Sequence, residues 1–464
     1  MSLTKPVLGL SHSPVLATPD ADSLKGWIRA NGIDEIECVT PDLAGIARGK
    51  VMPASKFMQG GDVRLPVSIL ISTINGEYAD VSRHDFETDS DLTLRPDFST
   101  ARAVPWAGDP SLVIIHDLAD SEGRLAGAAP RQVLRRVVEL YAAKGLRPVV
   151  APEIEFYLTK KNTDPDYPLE PPVGRSGRQS TGSQAFSLSA VDEYERVIEH
   201  IYDYAEAQGL EIDTIIQESG AAQLEINLVH GDPIALADQV FLFKRLIREA
   251  AMQCDCYATF MAKPMENQPG SAMHVHMSVV EIASGRNIFS DAAGAPTPAF
   301  YHFIGGQQRH FPAAMAIAAP YVNSYRRLIA YQSAPINLEW GVDNRSVGIR
   351  MPRSGPEARR VENRVIGSDA NPYLAIAAAL ACGWLGMEEK AEPRPRATGD
   401  AYLMKRDLPE SQLESVAHLE DNTALRGVLG EEFVRIYSAV KRAEHAEFMR
   451  VISPWEREHL LLNV

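Results

Sequence analysis

The chain has 464 residues, 45% of them hydrophobic, and a formal charge of −15. That is ample apolar material for a large core and the wrong sign of charge for a general nucleic-acid binder. The longest weakly polar run, Tyr373 to Gly386, falls short of the ~20 residues of a membrane span, and no charged segment followed by a continuous apolar one opens the chain, so neither a transmembrane helix nor a secretory signal is expected. Cys38, Cys254, Cys256 and Cys382 are sparse and scattered, which suits a reducing cytoplasm without a disulfide framework. Cys254 and Cys256 lack the second pair of a zinc site and are expected as buried helix-end residues.

In chain order, residues 1–20 read as an arm. A short helix follows from Asp22 to about Ala30, ended by Gly32. Strand-like runs, Ile36 to Val39 and Gly45 to Met52, then begin a small strand-rich unit over 21–125. Pro130 opens a helix that runs to Gly145. From there, over 126–464, strands and helices alternate: strand 147–158, helix 191–208, strand 222–229, helix 232–252 and strand 273–280. This pattern predicts an α/β or α+β unit built on one sheet. The stretch Gly174 to Ser180 could contact phosphate, but it lacks the Gly-Lys-Ser/Thr ending of a P-loop and reads as a solvated loop. No dinucleotide fingerprint is present.

Four stretches carry polar groups at every second position: Glu153 and Glu155; Gln223, Glu225 and Asn227; His274, His276 and Ser278; Arg360, Glu362 and Arg364. Strand geometry sends each polar set to one face. A single Glu-x-Glu pair usually lies on a solvated face, and a single histidine is commonly a satisfied core residue. Here, however, Glu153 and Glu155 interrupt an otherwise apolar strand, and buried carboxylates need partners or metal. Glu218 stands across a small-residue turn from Glu225. Five glutamates with a histidine make an oxygen-rich anionic cage of the kind that selects Mg²⁺ or Mn²⁺, two or more ions to a site. Arg327, Arg345, Arg350, Arg360 and Arg364 supply the opposite charge. Each alone would pass for a surface arginine, but with carboxylates and divalent metal they suit phosphoryl transfer.

The order and spacing of these motifs resemble the glutamine synthetase family from about residue 20 to 464. Besides the stretches above, the likeness rests on Lys263-Pro264, Gly270-Ser271-Ala272-Met273, Asn323-Ser324-Tyr325-Arg326-Arg327, Asn344-Arg345-Ser346 and Ala370-Asn371-Pro372. The resemblance implies an α+β fold, with an N-terminal β-grasp domain and a catalytic domain whose curved antiparallel sheet is flanked by helices. It also implies stacked rings, here a dodecamer of two hexamers with shared sites. Carried over by motif, Glu155, Glu218 and Glu225 would hold one metal, and Glu153, His274 and Glu362 the other. Arg327 and Arg364, helped by Gly270, would hold L-glutamate; His276, Ser278, Arg345, Arg350 and Arg360 would serve ATP. Arg345, Glu218 and Arg364 are the catalytic candidates. The implied chemistry makes γ-glutamyl phosphate, which an amine captures.

Departures from the family pattern bear on the amine. Ammonia-using members carry an Asp-Gly-Ser-Ser loop where this chain has Ile71 to Tyr78, and a flap glutamate where it has Ser333. An aromatic residue of the ammonium pocket is replaced by Ala185. Bare ammonium needs charged, close-fitting acceptors, so the replacements imply a wider pocket for a primary amine with a carbon tail. They resemble the glutamate–putrescine and γ-glutamylpolyamine ligase branch. A monoamine such as ethanolamine, ammonia itself, a metallohydrolase and a non-catalytic scaffold are the competing readings. The tyrosine adenylylated in some bacterial members is missing from the matching context, Lys405 to Pro409.

Overall fold

The computed structural model describes residues 20–81 and 84–464, so the predicted arm lies outside the described residues except for Asp20. That aspartate caps the first helix, Ala21–Ala30, by accepting from the Ser23 amide at 2.7 Å. Leu24 and Ile28, four residues apart and therefore on one helix face, pack with Ile36, Cys38, Leu112 and Ile114.

Those core residues belong to a six-stranded sheet of β1 (Glu35–Pro41), β2 (Ala47–Pro53), β3 (Arg64–Pro66), β4 (Asp91–Pro96), β5 (Arg102–Ala103) and β6 (Ser111–Ala119). The order is β2-β1-β6-β4-β3 with β5 against β6, and only β1 and β6 run parallel. A mixed sheet holding one helix in this way is the predicted β-grasp arrangement.

The second sheet has eight strands: β7 (Leu146–Lys160), β8 (Ile212–Gln217), β9 (Gln223–Leu228), β10 (Cys256–Thr259), β11 (Met273–Glu281), β12 (Trp340–Val342), β13 (Ile349–Met351) and β14 (Val361–Asn363). It runs β12-β13-β14-β11-β7-β9-β8, with β10 beside β7. Every pairing is antiparallel except β12 with β13, in keeping with the expected antiparallel sheet. Ile154, Phe156, Val275 and Met277 are fully buried on its apolar side.

Long helices cover that side. Those spanning Pro130–Ala142, Pro233–Gln253, Pro298–Ala318 and Pro372–Glu389 all begin with proline, whose missing N–H costs nothing in a first turn. The last is apolar all round and buried from Pro372 to Gly386, as a core helix should be. No helix among the described residues is long and apolar enough to cross a membrane. A Cβ added at Gly306 would lie 2.5 Å from the Gly386 Cα, so these glycines let two helices cross at backbone contact.

Two local expectations need correction. The helix predicted over 191–208 is two helices, Leu188–Asp192 and Glu195–Gln208. Between them Glu193 serves the loop expected to be free: its carbonyl accepts from Arg175 N at 3.0 Å and its carboxylate from Ser176 N at 3.0 Å. Arg175 pairs in turn with Asp192 and Glu195. Cys254 does sit at a helix end, but Cys256 opens β10.

The sheets are joined through Arg131, which is buried and donates to Asp97 at 2.6 Å, Asp117 at 3.1 Å and Asp238 at 2.9 Å. Three carboxylates around one guanidinium compensate the cost of removing it from water.

Candidate active site

Strand register assembles the site. Glu153 of β7 lies opposite His274 of β11 on one side and Asn227 of β9 on the other, while Glu155 faces Glu225. His276 is opposite Glu362, and Glu362 is opposite Arg350. The alternating polar sets of five strands therefore share one face. Glu218 reaches it through the β8–β9 turn: its N–H donates to the Gln223 carbonyl at 2.8 Å, and the Gln217 amide donates to the carbonyls of Glu218 and Gly220. Ala222 completes that turn with φ of 59°.

Glu153, Glu155, Glu218, Glu225, Asn227, His274, Arg350 and Glu362 line a cleft of about 680 Å³, with His276 outside its lining. Within it the carboxylates have opposite fates. Glu153 is penalised by burial, yet contacts from His274 at 3.3 Å and His276 at 2.8 Å hold it far below the usual carboxylate range. Burial, with Glu218 beside it, pushes Glu155 up to about 8. Burial and the charges of Glu155, Glu153 and Glu218 push Glu225 up to about 10. Glu218 is raised as well, first by burial. Carboxyls pushed toward the neutral form, by burial first and by one another's charge second, are groups short of a cation.

The donor set fits divalent metal. Ligand atoms of Glu155, Glu218 and Glu225 lie within 4.8 Å of one another, as do those of Glu153, Glu225 and His274. The Nε2 of His274 is buried without a hydrogen-bond partner, and burial together with Arg364 lowers that imidazole to about 4, leaving it neutral and able to ligate. The first trio is the one expected from sequence. In the second, Glu225 stands where Glu362 was expected; Glu362 groups instead with Glu153 and His276.

Glu362 is fully buried and receives Arg364 Nη1 at 2.6 Å on one oxygen and Arg350 Nη1 at 2.7 Å on the other. Burial opposes its charge, but Arg364 and then the imidazoles hold it down at about 2. Arg345, Arg350 and Arg364 line the cleft, as do Ser333 and Ala185. Arg327 lies behind the wall, its guanidinium donating to the carbonyls of Val365 at 2.7 Å and Arg364 at 3.0 Å. Gly270 packs against Arg327: an added Cβ would overlap the arginine's Cγ. Arg360 reaches His276 Nδ1 at 3.1 Å, and Ser278 lies further along β11, with neither among the cleft-lining residues.

Several residues here escaped prediction. Gln223 donates to Glu155 at 3.2 Å and Asn227 lines the cleft; both alternate with Glu225, so their positions were legible though their roles were not. Phe186, Tyr331 and Tyr402 also line it, from three loops without periodicity. Phe186, Tyr331 and Ser333 have φ of 64°, 63° and 64°, a left-handed conformation that costs side-chain-bearing residues about 1–3 kcal/mol and tends to occur at working sites.

The glutamine synthetase catalytic-domain family matches residues 127–460. The chain is 34% identical over 436 residues to the gamma-glutamylputrescine synthetase PuuA of Escherichia coli (strain K12), covering 92% of each. It is 30% identical over 452 residues to a glutamate–isopropylamine ligase of a Pseudomonas species, covering 93% of this chain and 96% of that one. Among solved structures, ligand-free GmaS superposes with a TM-score of 0.80 at 28% identity, over 95% of this chain and 99% of its own.

Proposed function

This chain belongs to the glutamine synthetase family and is a glutamate–amine ligase, and on that premise we propose that it joins the γ-carboxyl group of L-glutamate to putrescine or a longer polyamine at the cost of ATP. The γ-carboxylate oxygen attacks the terminal phosphorus of ATP and ADP leaves. The amine nitrogen then attacks the carbonyl of γ-glutamyl phosphate, loses a proton, and expels inorganic phosphate.

The residues of the cleft divide this work. Arg364 holds a glutamate carboxylate, with Gly270 and Arg327 supporting it from behind. Arg345 and Arg350 neutralise the transferred phosphoryl oxygens. Glu218, once a bound cation keeps its carboxylate ionised, accepts the proton of the attacking amine. His276, Arg360 and Ser278 flank the nucleotide end. Glu155, Glu218 and Glu225, and Glu153 with His274, would hold Mg²⁺ or Mn²⁺, which when bound supplies charge neutralisation for the phosphates.

The observation that carries the polyamine reading is that Ser333 and Ala185 share the cleft with the carboxylate cage, where ammonia-using members have a glutamate and an aromatic residue. The resemblance to a putrescine-named relative supports the same choice. A monoamine is the second reading, supported by the likeness to an isopropylamine ligase. Phosphate release measured against ammonium, monoamines, putrescine, cadaverine, spermidine and spermine tests both; comparable rates with ammonium would defeat them.

The proposal includes a unit over 21–125 and a catalytic unit over 126–464, assembled as two hexameric rings, and light scattering tests the assembly. It also includes a cytoplasmic role in polyamine breakdown, consistent with four free cysteines.

A further inference from the structure

The cleft has two chemically different ends. Its lining carboxylates are Glu153, Glu155, Glu218, Glu225 and Glu362, and every one is committed to the metal cage or to Arg350 and Arg364. Among the described residues no further acid lines it to meet a second positive charge. Beside small and polar side chains, what it offers instead is three aromatic rings. Tyr331 and Tyr402 stack with centroids 4.8 Å apart and planes tilted by 45°. Phe186 enters from the loop before the helix Leu188–Asp192, its N–H fixed on the carbonyl of Gln217 at 2.9 Å, and Gln217 adjoins Glu218 in the chain. Phe186 and Tyr331 are 66% and 64% exposed, large apolar rings left open to solvent. Both backbones are in the left-handed region, so each ring is presented to the cleft against local preference rather than with it. Tyr402 sits in a short 3₁₀ turn whose first residue, Ala401, donates its N–H to Ser346 Oγ at 2.9 Å and accepts from the Asn337 side-chain amide at 2.8 Å.

We propose that Phe186, Tyr331 and Tyr402 form the subsite that reads the amine's tail, accepting a distal ammonium on ring faces instead of on a carboxylate. The inference rests on the amine-ligase reading above and deepens it: the substrate class is an unbranched diamine or polyamine. Aromatic faces carry negative quadrupole density, and a cation seated on them is held while its carbon chain lies against the rings. Ser333 fits this arrangement, since a glutamate at that position would bind the ammonium nearer the reacting carbon and shorten the subsite.

The test uses the full-length protein with ATP, glutamate and Mg²⁺, and three nucleophiles: hydroxylamine, which has no tail, n-butylamine, which has the four-carbon tail alone, and putrescine, which adds the distal ammonium. Phe186→Leu and Tyr331→Leu keep apolar bulk but remove the π face. The expected result is that the KM for putrescine rises about tenfold relative to the KM for hydroxylamine in each variant, while the corresponding ratio for n-butylamine changes by less than about threefold. Hydroxamate formation together with an unchanged putrescine ratio in both variants would overturn the subsite. A preference of the unaltered enzyme for n-butylamine over putrescine would overturn the ammonium-binding role. Absence of hydroxamate from the unaltered enzyme would overturn the ligase reading itself, and this inference with it.

Discussion

Arg360 Nε lies 3.1 Å from Nδ1 of His276, and a guanidinium can only donate, so the imidazole must accept there and carry its own proton on Nε2. That proton faces Glu153 Oε1 at 2.8 Å. His276 is therefore a donor that orients a carboxylate of the cage, and Arg360 selects the tautomer that makes it one.

Removing that selection has a measurable cost. In Arg360→Met the His276 proton can sit on either nitrogen, and outer partners of this kind usually contribute about ten- to a hundredfold to metal affinity or activity. We expect Mn²⁺ to bind about tenfold more weakly in a calorimetric titration. Unaltered affinity would show that Arg360 has no bearing on the cage.

The cage predicts how stability changes with pH once metal is withdrawn. Glu155 and Glu225 titrate at about 8 and about 10, above the ordinary 4.5, so the folded state binds more protons than the unfolded one between those limits. Stability from these groups is fully present below about pH 4.5 and is lost as pH rises through 8 and then 10. In EDTA the melting temperature should fall from pH 6 to pH 9, and Mg²⁺ should flatten that slope by replacing the protons. Parallel slopes with and without Mg²⁺ would contradict a cation in this cage.

Glu362 should matter to stability as well as to turnover. Replacing it with alanine strips Arg364 and Arg350 of their shared carboxylate in a fully buried place, and losing one partner of such a pair costs about 3–5 kcal/mol. Urea unfolding should reveal that loss, with phosphate release abolished. A variant that is as stable as the parent would mean that the two arginines find other partners.

Gly270→Ala tests the wall behind the glutamate arginines. The new methyl would come within 2.5 Å of the Ala262 carbonyl oxygen and overlap Arg327 Cγ, displacing a guanidinium that fixes the backbone at Arg364 and Val365. Overpacking of this kind costs about 1–3 kcal/mol. We expect the KM for glutamate to rise at least about tenfold with little change in the KM for ATP; equal increases in both would point to general unfolding instead.

Ser333→Glu should move the enzyme toward ammonium. An added carboxylate at this cleft position supplies the acceptor that a small cation needs. The ratio of kcat/KM for putrescine to that for ammonium should fall about tenfold, and an unchanged ratio would remove Ser333 from the selection of the amine.

The carboxylate cluster was legible because its residues repeat at the strand period: Glu153 with Glu155, and Glu225 with Gln223 and Asn227, announce a shared face within five contiguous residues. The Ala-rich segment from Tyr373 was legible only as too short for a membrane span; its place as a buried core helix was not. The interruption of the 191–208 helix was not, because its cause is Arg175 and Ser176 bonding to Glu193 from a distant loop. Nor was the grouping of Glu153 and His274 with Glu225 and of Glu153 and His276 with Glu362, which depends on strand order around β7 and β11.

The residues alone thus determined the polar faces and their hard-ligand character, because each is a property of side-chain type and local spacing; the missing ammonium-site acids follow only from the family resemblance. Only the tertiary structure decided that Glu362 is clasped by Arg350 and Arg364, that Arg327 supports from behind rather than lining the cleft, and that Phe186, Tyr331 and Tyr402 line one cleft. Those outcomes depend on sheet order and on loops brought together by burying a common core, and no period along the chain encodes which distant segments will meet.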